Sequence, residues 1–347
     1  MTSVTNPRKV LFIAGAGRSG TSTLVGLLSR LGLHVPQPEV AADDSNPKGF
    51  GEPQWVVDFH NRMLHEVEVQ VSDSRPEAWE LTGARHADAA TVAQVSAWLP
   101  PHFAGAAELV IKDPRLAWFL PVWRTASVQC DATPVFATML RPPAEVAGSR
   151  QKYYASKLGA AHLAAGWVNM LLHTELLTRD APRVFVRYAD LLDDWRSVVA
   201  SVGEHLDLVA VRDAADADWT RLEGFIDPSL RRVGLDWADL AFPPRLETIA
   251  REAWRLLNSL ADDDAPATRE SLDCVREDYR ALYSESEAIS KSSVVAAEVR
   301  LRKAHRQRAA TPLPPDQARL ADRIPHGLRA RIPAPVRRGI RRVIKRR

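Results

Sequence analysis

The sequence predicts an α/β fold: a mostly parallel central sheet flanked by helices, with a helical C-terminal extension. Three observations carry this. An apolar run, Val10-Leu11-Phe12-Ile13-Ala14, passes through a glycine-rich loop into an apolar stripe of helical spacing. Three further short apolar runs are separated by helical patterns, the alternation of a parallel sheet. The chain is 347 residues long, with 46% hydrophobic and 26% charged residues, enough for a full core and unlike a disordered or collagenous composition.

Taken in order, the run at 10–14 reads as a strand buried on both faces. The loop Gly15-Ala16-Gly17-Arg18-Ser19-Gly20 follows, then Leu24, Leu27, Leu28 and Leu31 on one helical face. Residues 36–51, rich in Pro, Asp, Asn and Gly, read as a long irregular loop near the C-terminal edge of the sheet, where function is often carried. Helical patterns are expected at 56–67, 91–98, 151–178, 191–206 and 249–260, and strands at 109–111, 135–140 and 184–186. A charged helical stretch then runs to about Arg308, and Thr311-Pro312-Leu313-Pro314-Pro315 marks a linker. The organisation expected is a main domain at 8–262, a helical extension at 266–308, and a Pro-containing linker with a basic tail at 309–347.

The net charge of +3 conceals an asymmetry. Nine Lys/Arg and no acid lie within 329–347, so the other 328 residues carry −6. Basic residues confined to one end argue against a nucleic-acid binder. Val336, Ile340, Val343 and Ile344 share one helical face of this tail with cations opposite, a basic amphipathic helix suited to an anionic membrane surface. The two cysteines, Cys130 and Cys274, suggest neither a disulfide framework nor a zinc site, which fits a reducing cytoplasm, with peripheral contact at the inner face of the membrane through the tail. No apolar run is long enough to span a bilayer.

Residues 15–22 have the outline of a phosphate loop, with hydroxyls at Ser19, Thr21 and Ser22, but Thr21 stands where a nucleoside triphosphatase has lysine. Arg18 is the cation of this loop. The missing lysine and the lack of an assignable Mg²⁺-holding acid disfavour kinase or NTPase chemistry, and no metal is expected. Gly15, Gly17 and Gly20 also match a dinucleotide fingerprint, but the second strand that reading needs would contain Pro36 and Pro38. A second anion site is expected where the 135–140 strand runs into Arg141, with Ser149 two helical turns on. Two anion sites suggest a nucleotide phosphorylated at both its 5′ and 3′ positions.

These residues resemble the PAPS-dependent sulfotransferases, particularly bacterial members, over about residues 8–232. Gly17-Arg18-Ser19-Gly20-Thr21-Ser22 looks like the family's 5′-phosphosulfate loop, and Arg141 with Ser149 like its 3′-phosphate motif. Asn46-Pro47-Lys48-Gly49-Phe50-Gly51-Glu52 resembles its acidic loop, and Val110-Ile111-Lys112-Asp113-Pro114-Arg115 its basic strand end. Val186-Arg187-Tyr188-Ala189-Asp190-Leu191-Leu192 is similar to the segment near the adenine, and Phe225-Ile226-Asp227-Pro228-Ser229-Leu230-Arg231-Arg232 to the one that closes on the nucleotide. Two positions depart: Pro142 replaces the usual acid or Asn, and Gly51 the usual aromatic. No histidine matches the catalytic one of the cytosolic hormone and drug sulfotransferases.

The resemblance implies the P-loop NTPase-like sulfotransferase fold, with PAPS as co-substrate and a hydroxyl or amine of a carbohydrate, glycolipid or other small molecule as acceptor. It places Gly17, Arg18, Ser19, Gly20, Thr21, Ser22, Arg141, Ser149, Tyr188, Arg231 and Arg232 on the donor. Arg18 stabilises the leaving oxygen, Glu52 is the first choice of base, and Lys112 either touches the sulfuryl group or pairs with Asp113. His60 and His65, on a helical pattern with Val57 and Leu64, are alternative groups near the site, although histidines so placed are more often packed or exposed. The competing readings are a P-loop small-molecule kinase and a non-catalytic nucleotide-binding scaffold.

Overall fold

The computed structural model describes residues 7–43, 46–86, 88–154, 159–226 and 237–310. Four strands form one all-parallel sheet: β1 (Arg8–Ala14), β2 (Glu108–Lys112), β3 (Ala132–Leu140) and β4 (Arg183–Arg187), in the order β2-β1-β3-β4. Each is the expected apolar run, longer by one to three residues at an end. Pro134 lies in β3 before its pairing with β4 begins at Phe136, so its missing N–H interrupts no ladder there.

Alternation along the strands builds two cores. Val10, Phe12, Phe136 and Leu140 face one layer of helices, while Leu11, Ile13, Val135 and Met139 face the other. The second layer includes α1 (Thr21–Arg30), whose Leu24, Leu27, Leu28 and Leu31 form the expected buried stripe. The first includes α2 (Gln54–Glu66), α3 (Ala78–His86), α4 (Ala89–Trp98), α5 (Leu120–Gln129) and α7 (Ala160–Thr178), where Trp118, Trp123 and Trp167 are fully buried core residues.

Leu33 to Val35 makes a single-residue bridge at the outer edge of β2, where His34 N–H donates to Glu108 O at 3.0 Å, and then stops before Pro36. The prolines thus keep this segment out of the sheet interior. Two expected helices are interrupted. The 151–178 pattern divides between α6 (Pro143–Tyr154) and α7, which starts after Gly159. The 191–206 pattern divides between α8 (Tyr188–Asp193) and α9 (Trp195–His205), because the Asp194 carboxylate accepts from Ser197 N–H and opens a new helix.

Beyond the short α10 (Val209–Arg212) and α11 (Asp216–Thr220), α12 (Pro244–Ser259) and α13 (Pro266–Ala310) complete the described chain. One compact unit spans Met1–Glu285 and a second Ser286–Arg347, so the first unit takes in the start of the expected extension. The reason is local: Leu272, Val275 and Tyr279 are buried, and the Tyr279 hydroxyl donates to Ser74 O at 2.5 Å. In the second unit, 286–306 is exposed helix. The linker from Thr311 and the basic tail lie outside the described residues. Among the described residues no helix is long and apolar enough to cross a membrane.

Candidate functional site

The strand order places β2 and β3 on opposite sides of β1, so the chain changes direction across the sheet at the β1/β3 crevice. In open parallel sheets ligands bind outside the strand C-termini at such a point. The glycine loop leaves β1 there and Arg141 leaves β3, the two strands pairing as far as Ala14 and Thr138, after which β3 continues to Leu140.

The loop is shaped for close approach. A Cβ on Gly15, at φ +142°, would lie 2.9 Å from Met139 O, and one on Gly20, at φ +87°, would lie 2.2 Å from the Tyr188 ring. Arg18 takes φ 76°, a left-handed conformation costing a non-glycine residue about 1–3 kcal/mol, of the kind that clusters at functional sites. Gly20 caps α1, whose first turn, with Thr21, Ser22 and Thr23, opens onto a cavity of about 730 Å³. A helix N-terminus offers amide N–H groups and partial positive charge to an anion. Ser19 is wholly buried within the loop, and its hydroxyl has no partner.

The two expected anion sites interlock. Arg18 Nε donates to Ser149 Oγ at 3.2 Å, and Arg141 Nη1 donates to Arg18 O at 2.9 Å. Arg141 also donates through Nε to Glu145 Oε2 at 2.9 Å and lies 4.7 Å over the Tyr188 ring. Carboxylate, carbonyl and ring together orient a guanidinium that is 5% exposed. Gly17, Arg18, Gly20, Thr21, Ser22, Arg141, Ser149 and Tyr188 all line the cavity.

Across the loop, Lys112 ends β2 and donates to Glu52 Oε1 at 2.5 Å and to Ser22 Oγ at 3.2 Å. Both side chains of this ion pair are nearly buried, and both residues line the cavity. The pairing with Asp113 considered from the sequence does not form. Asp113 instead accepts from His60 Nδ1 at 2.8 Å, and from Arg115 N at 2.9 Å and Nη1 at 2.6 Å. Burial alone would raise the Asp113 pKa, but the His60 hydrogen bond, with the charge and backbone N–H of Arg115, holds it below the ordinary carboxylate value.

His60 is fully buried rather than in the cavity lining. The Trp123 indole N–H donates to its Nε2 at 2.8 Å, which leaves Nδ1 to donate to Asp113. Asp113 links the ring to Arg115, which lines the cavity. His65 is an exposed residue of α2. Arg231 and Arg232 lie outside the described residues.

Sequence reasoning assigned no role to four further lining residues: Lys48, Arg115, Arg150 and Phe225. Lys48 Nζ donates to Phe225 O at 2.6 Å, and Arg30 lies 4.2 Å over the Phe225 ring, fastening the 46–51 loop to the segment after α11. Arg150 donates to Ser72 Oγ. The available signal was positional, since Arg115 follows a strand end and Arg150 follows Ser149. Six cations and two acids, Asp43 and Glu52, line the cavity, which favours an anionic ligand. Among the described residues no group of three or more His, Cys, Asp or Glu is arranged to hold a metal ion.

Neither a family model nor a curated protein is matched by this sequence. Among solved structures, the chain is similar to the sulfotransferase domain from the Synechococcus PCC 7002 olefin synthase, with 19% identity, 74% of this chain and 96% of that one covered, and a TM-score of 0.42. It is likewise similar to the sulfotransferase domain from the curacin biosynthetic pathway, with 16% identity, coverage of 72% and 98%, and a TM-score of 0.42.

Proposed function

We propose that the chain is a PAPS-dependent sulfotransferase, moving a sulfuryl group to a hydroxyl or amine of a carbohydrate, glycolipid or other small molecule. The observation that carries this reading is the interlocking of a lysine-free glycine loop with Arg141 and Ser149 around one cavity. A nucleotide with phosphates at both ends needs two anion sites a few ångströms apart, and a nucleoside triphosphate has no use for the second.

Two features of the loop support the fit. The Gly20 approach to Tyr188 makes a cradle that any Cβ would fill, and Ser19 keeps an unmet buried hydroxyl in the same loop. Arg141 and Ser149 would hold the 3′-phosphate, and Gly17 to Ser22 the 5′ end. Tyr188 would lie near the base. Bound PAPS supplies an activated sulfuryl group whose leaving group is a phosphate oxygen.

Positioning and charge stabilisation then do most of the chemistry. Arg18 and the loop N–H groups stabilise the charge that grows on the leaving oxygen. Lys112 bonds both Ser22 of the donor loop and Glu52, so its ammonium stands at the boundary between donor and acceptor. There it meets the sulfuryl oxygens, while Glu52, as a carboxylate, accepts the proton that the acceptor gives up.

Calorimetric titration tests this. Adenosine 3′,5′-bisphosphate binds without added metal and more tightly than ATP with Mg²⁺, and ³⁵S passes from PAPS to an acceptor. Preference for ATP with Mg²⁺ would return the kinase reading, and bisphosphate binding with no transfer to any hydroxyl or amine would favour the scaffold.

A further inference from the structure

The donor's needs account for the loop, Lys112 and Arg141, yet another cation lines the same cavity beyond the end of β2, across the loop from Arg141. Arg115 follows β2, two strands away from β3, which at the usual strand spacing of about 4.8 Å sets the two strand ends roughly 10 Å apart with the glycine loop between them. Its direction is imposed from below. Asp113, 1% exposed, grips Arg115 at both the backbone N–H and Nη1, and His60, held by Trp123, secures Asp113 on its other oxygen. So much buried polar structure behind one arginine is costly unless the guanidinium has a use.

The arginine also keeps an unmet donor: its Nε–H is buried and bonds to nothing. A buried donor without a partner is unfavourable until a hydrogen bond satisfies it. Asp113 already answers much of the charge, so the site suits a monoanion better than a phosphate dianion. The lining of the same cavity also includes the apolar side chains of Val57 and Val71.

On the sulfotransferase reading above, we propose that the acceptor is an amphiphilic hydroxy or amino acid, and that Arg115 binds its carboxylate while Val57 and Val71 take its apolar part. Carboxylate against guanidinium gives the planar, charge-assisted pairing for which arginine is suited.

The test is titration of octanoate and of octanamide, which share a carbon skeleton and differ in charge, onto the full chain saturated with adenosine 3′,5′-bisphosphate. Octanoate binds at least tenfold more tightly than octanamide. In Arg115→Gln this difference disappears while bisphosphate affinity stays unchanged, which also shows the variant folded. Equal binding of the two probes, binding of neither, or a difference that survives Arg115→Gln overturns the proposal. Should the bisphosphate itself fail to bind, the functional reading falls, and the same pair of probes on the unliganded chain still decides the question of Arg115.

Discussion

Arg141→Lys isolates the 3′-phosphate site because it keeps the charge and removes the fork. In the structure one guanidinium serves Glu145 through Nε and the Arg18 carbonyl through Nη1, both at 2.9 Å, with its face 4.7 Å from the centre of the Tyr188 ring. A lysine ammonium is a point charge on a flexible stem and cannot hold those directions while also meeting a phosphate. Losing one charge-assisted bond to the phosphate costs about 1.5–3 kcal/mol. Weaker stacking on Tyr188 adds about 0.5–1 kcal/mol. A total near 3 kcal/mol corresponds to about a hundredfold loss of affinity. Calorimetry on the variant should show that loss for adenosine 3′,5′-bisphosphate and little change for adenosine 5′-monophosphate, which lacks the 3′ group. Equal weakening of both nucleotides, or of neither, would refute the assignment of Arg141 to the 3′-phosphate.

Four other outcomes follow from the same geometry. Arg18→Ala should lower turnover at least a hundredfold with a smaller effect on bisphosphate affinity, because Arg18 acts on charge that develops during transfer; steady-state kinetics with PAPS would expose the opposite split. Lys112→Met leaves Glu52 as an unpaired, nearly buried carboxylate and should destabilise the fold by about 3–5 kcal/mol, whereas adding Glu52→Gln should restore most of it in urea titrations. Asp264 is pushed up by burial but held down to a pKa of about 2 by hydrogen bonds from Arg183 and Arg269, so its contribution is full above 3.8 and is lost as pH falls toward 2. That window corresponds to about 2 kcal/mol, and Asp264→Asn should flatten the acid limb of a stability-versus-pH curve. Finally, a chain cut at Pro335 should lose co-sedimentation with anionic liposomes that the full chain shows, each basic residue of the tail contributing about 1 kcal/mol near such a surface.

The backbone plan was legible because it is written in local patterns. Four apolar runs became four strands, and the stripe of Leu24, Leu27, Leu28 and Leu31 became the buried face of α1. Two long helical patterns were read as continuous because apolar periodicity does not register a break: α7 starts afresh after Gly159, and Asp194 ends α8 and caps α9, without disturbing it. Strand order was not legible, since nothing local says that β3 pairs with β1 rather than β2. Side-chain partnerships were lost with it. Glu52 and Lys112 are 60 residues apart, as their hydrogen bond records, and meet only once the 46–52 loop folds back over the end of β2. The depth of His60 was not legible for a related reason: a helical pattern places it on a face but leaves packed and site-facing positions both open, and its imidazole faces Trp123 and Asp113 in the core.

The sheet order also answers the oddity of the loop. A phosphate loop with threonine at the lysine position lacks the side chain that would meet the terminal anionic group. Because β1 lies between β2 and β3, the loop it feeds is flanked by the residues at both neighbouring strand ends, Lys112 on one side and Arg141 on the other. Lys112 Nζ reaches Ser22 Oγ at 3.2 Å, in the first turn of α1, beside the position where a lysine of the loop itself would start. A cation delivered from the neighbouring strand differs from one in the loop in a way that matters for transfer. Its backbone is fixed in the sheet, and its second partner, Glu52, comes from the segment that leads into α2. An anion arriving at the loop must therefore compete with Glu52 for the ammonium. On the proposed function, an anionic donor that succeeds would release the Glu52 carboxylate to take the acceptor's proton, so that donor arrival and acceptor activation would be tied at one side chain.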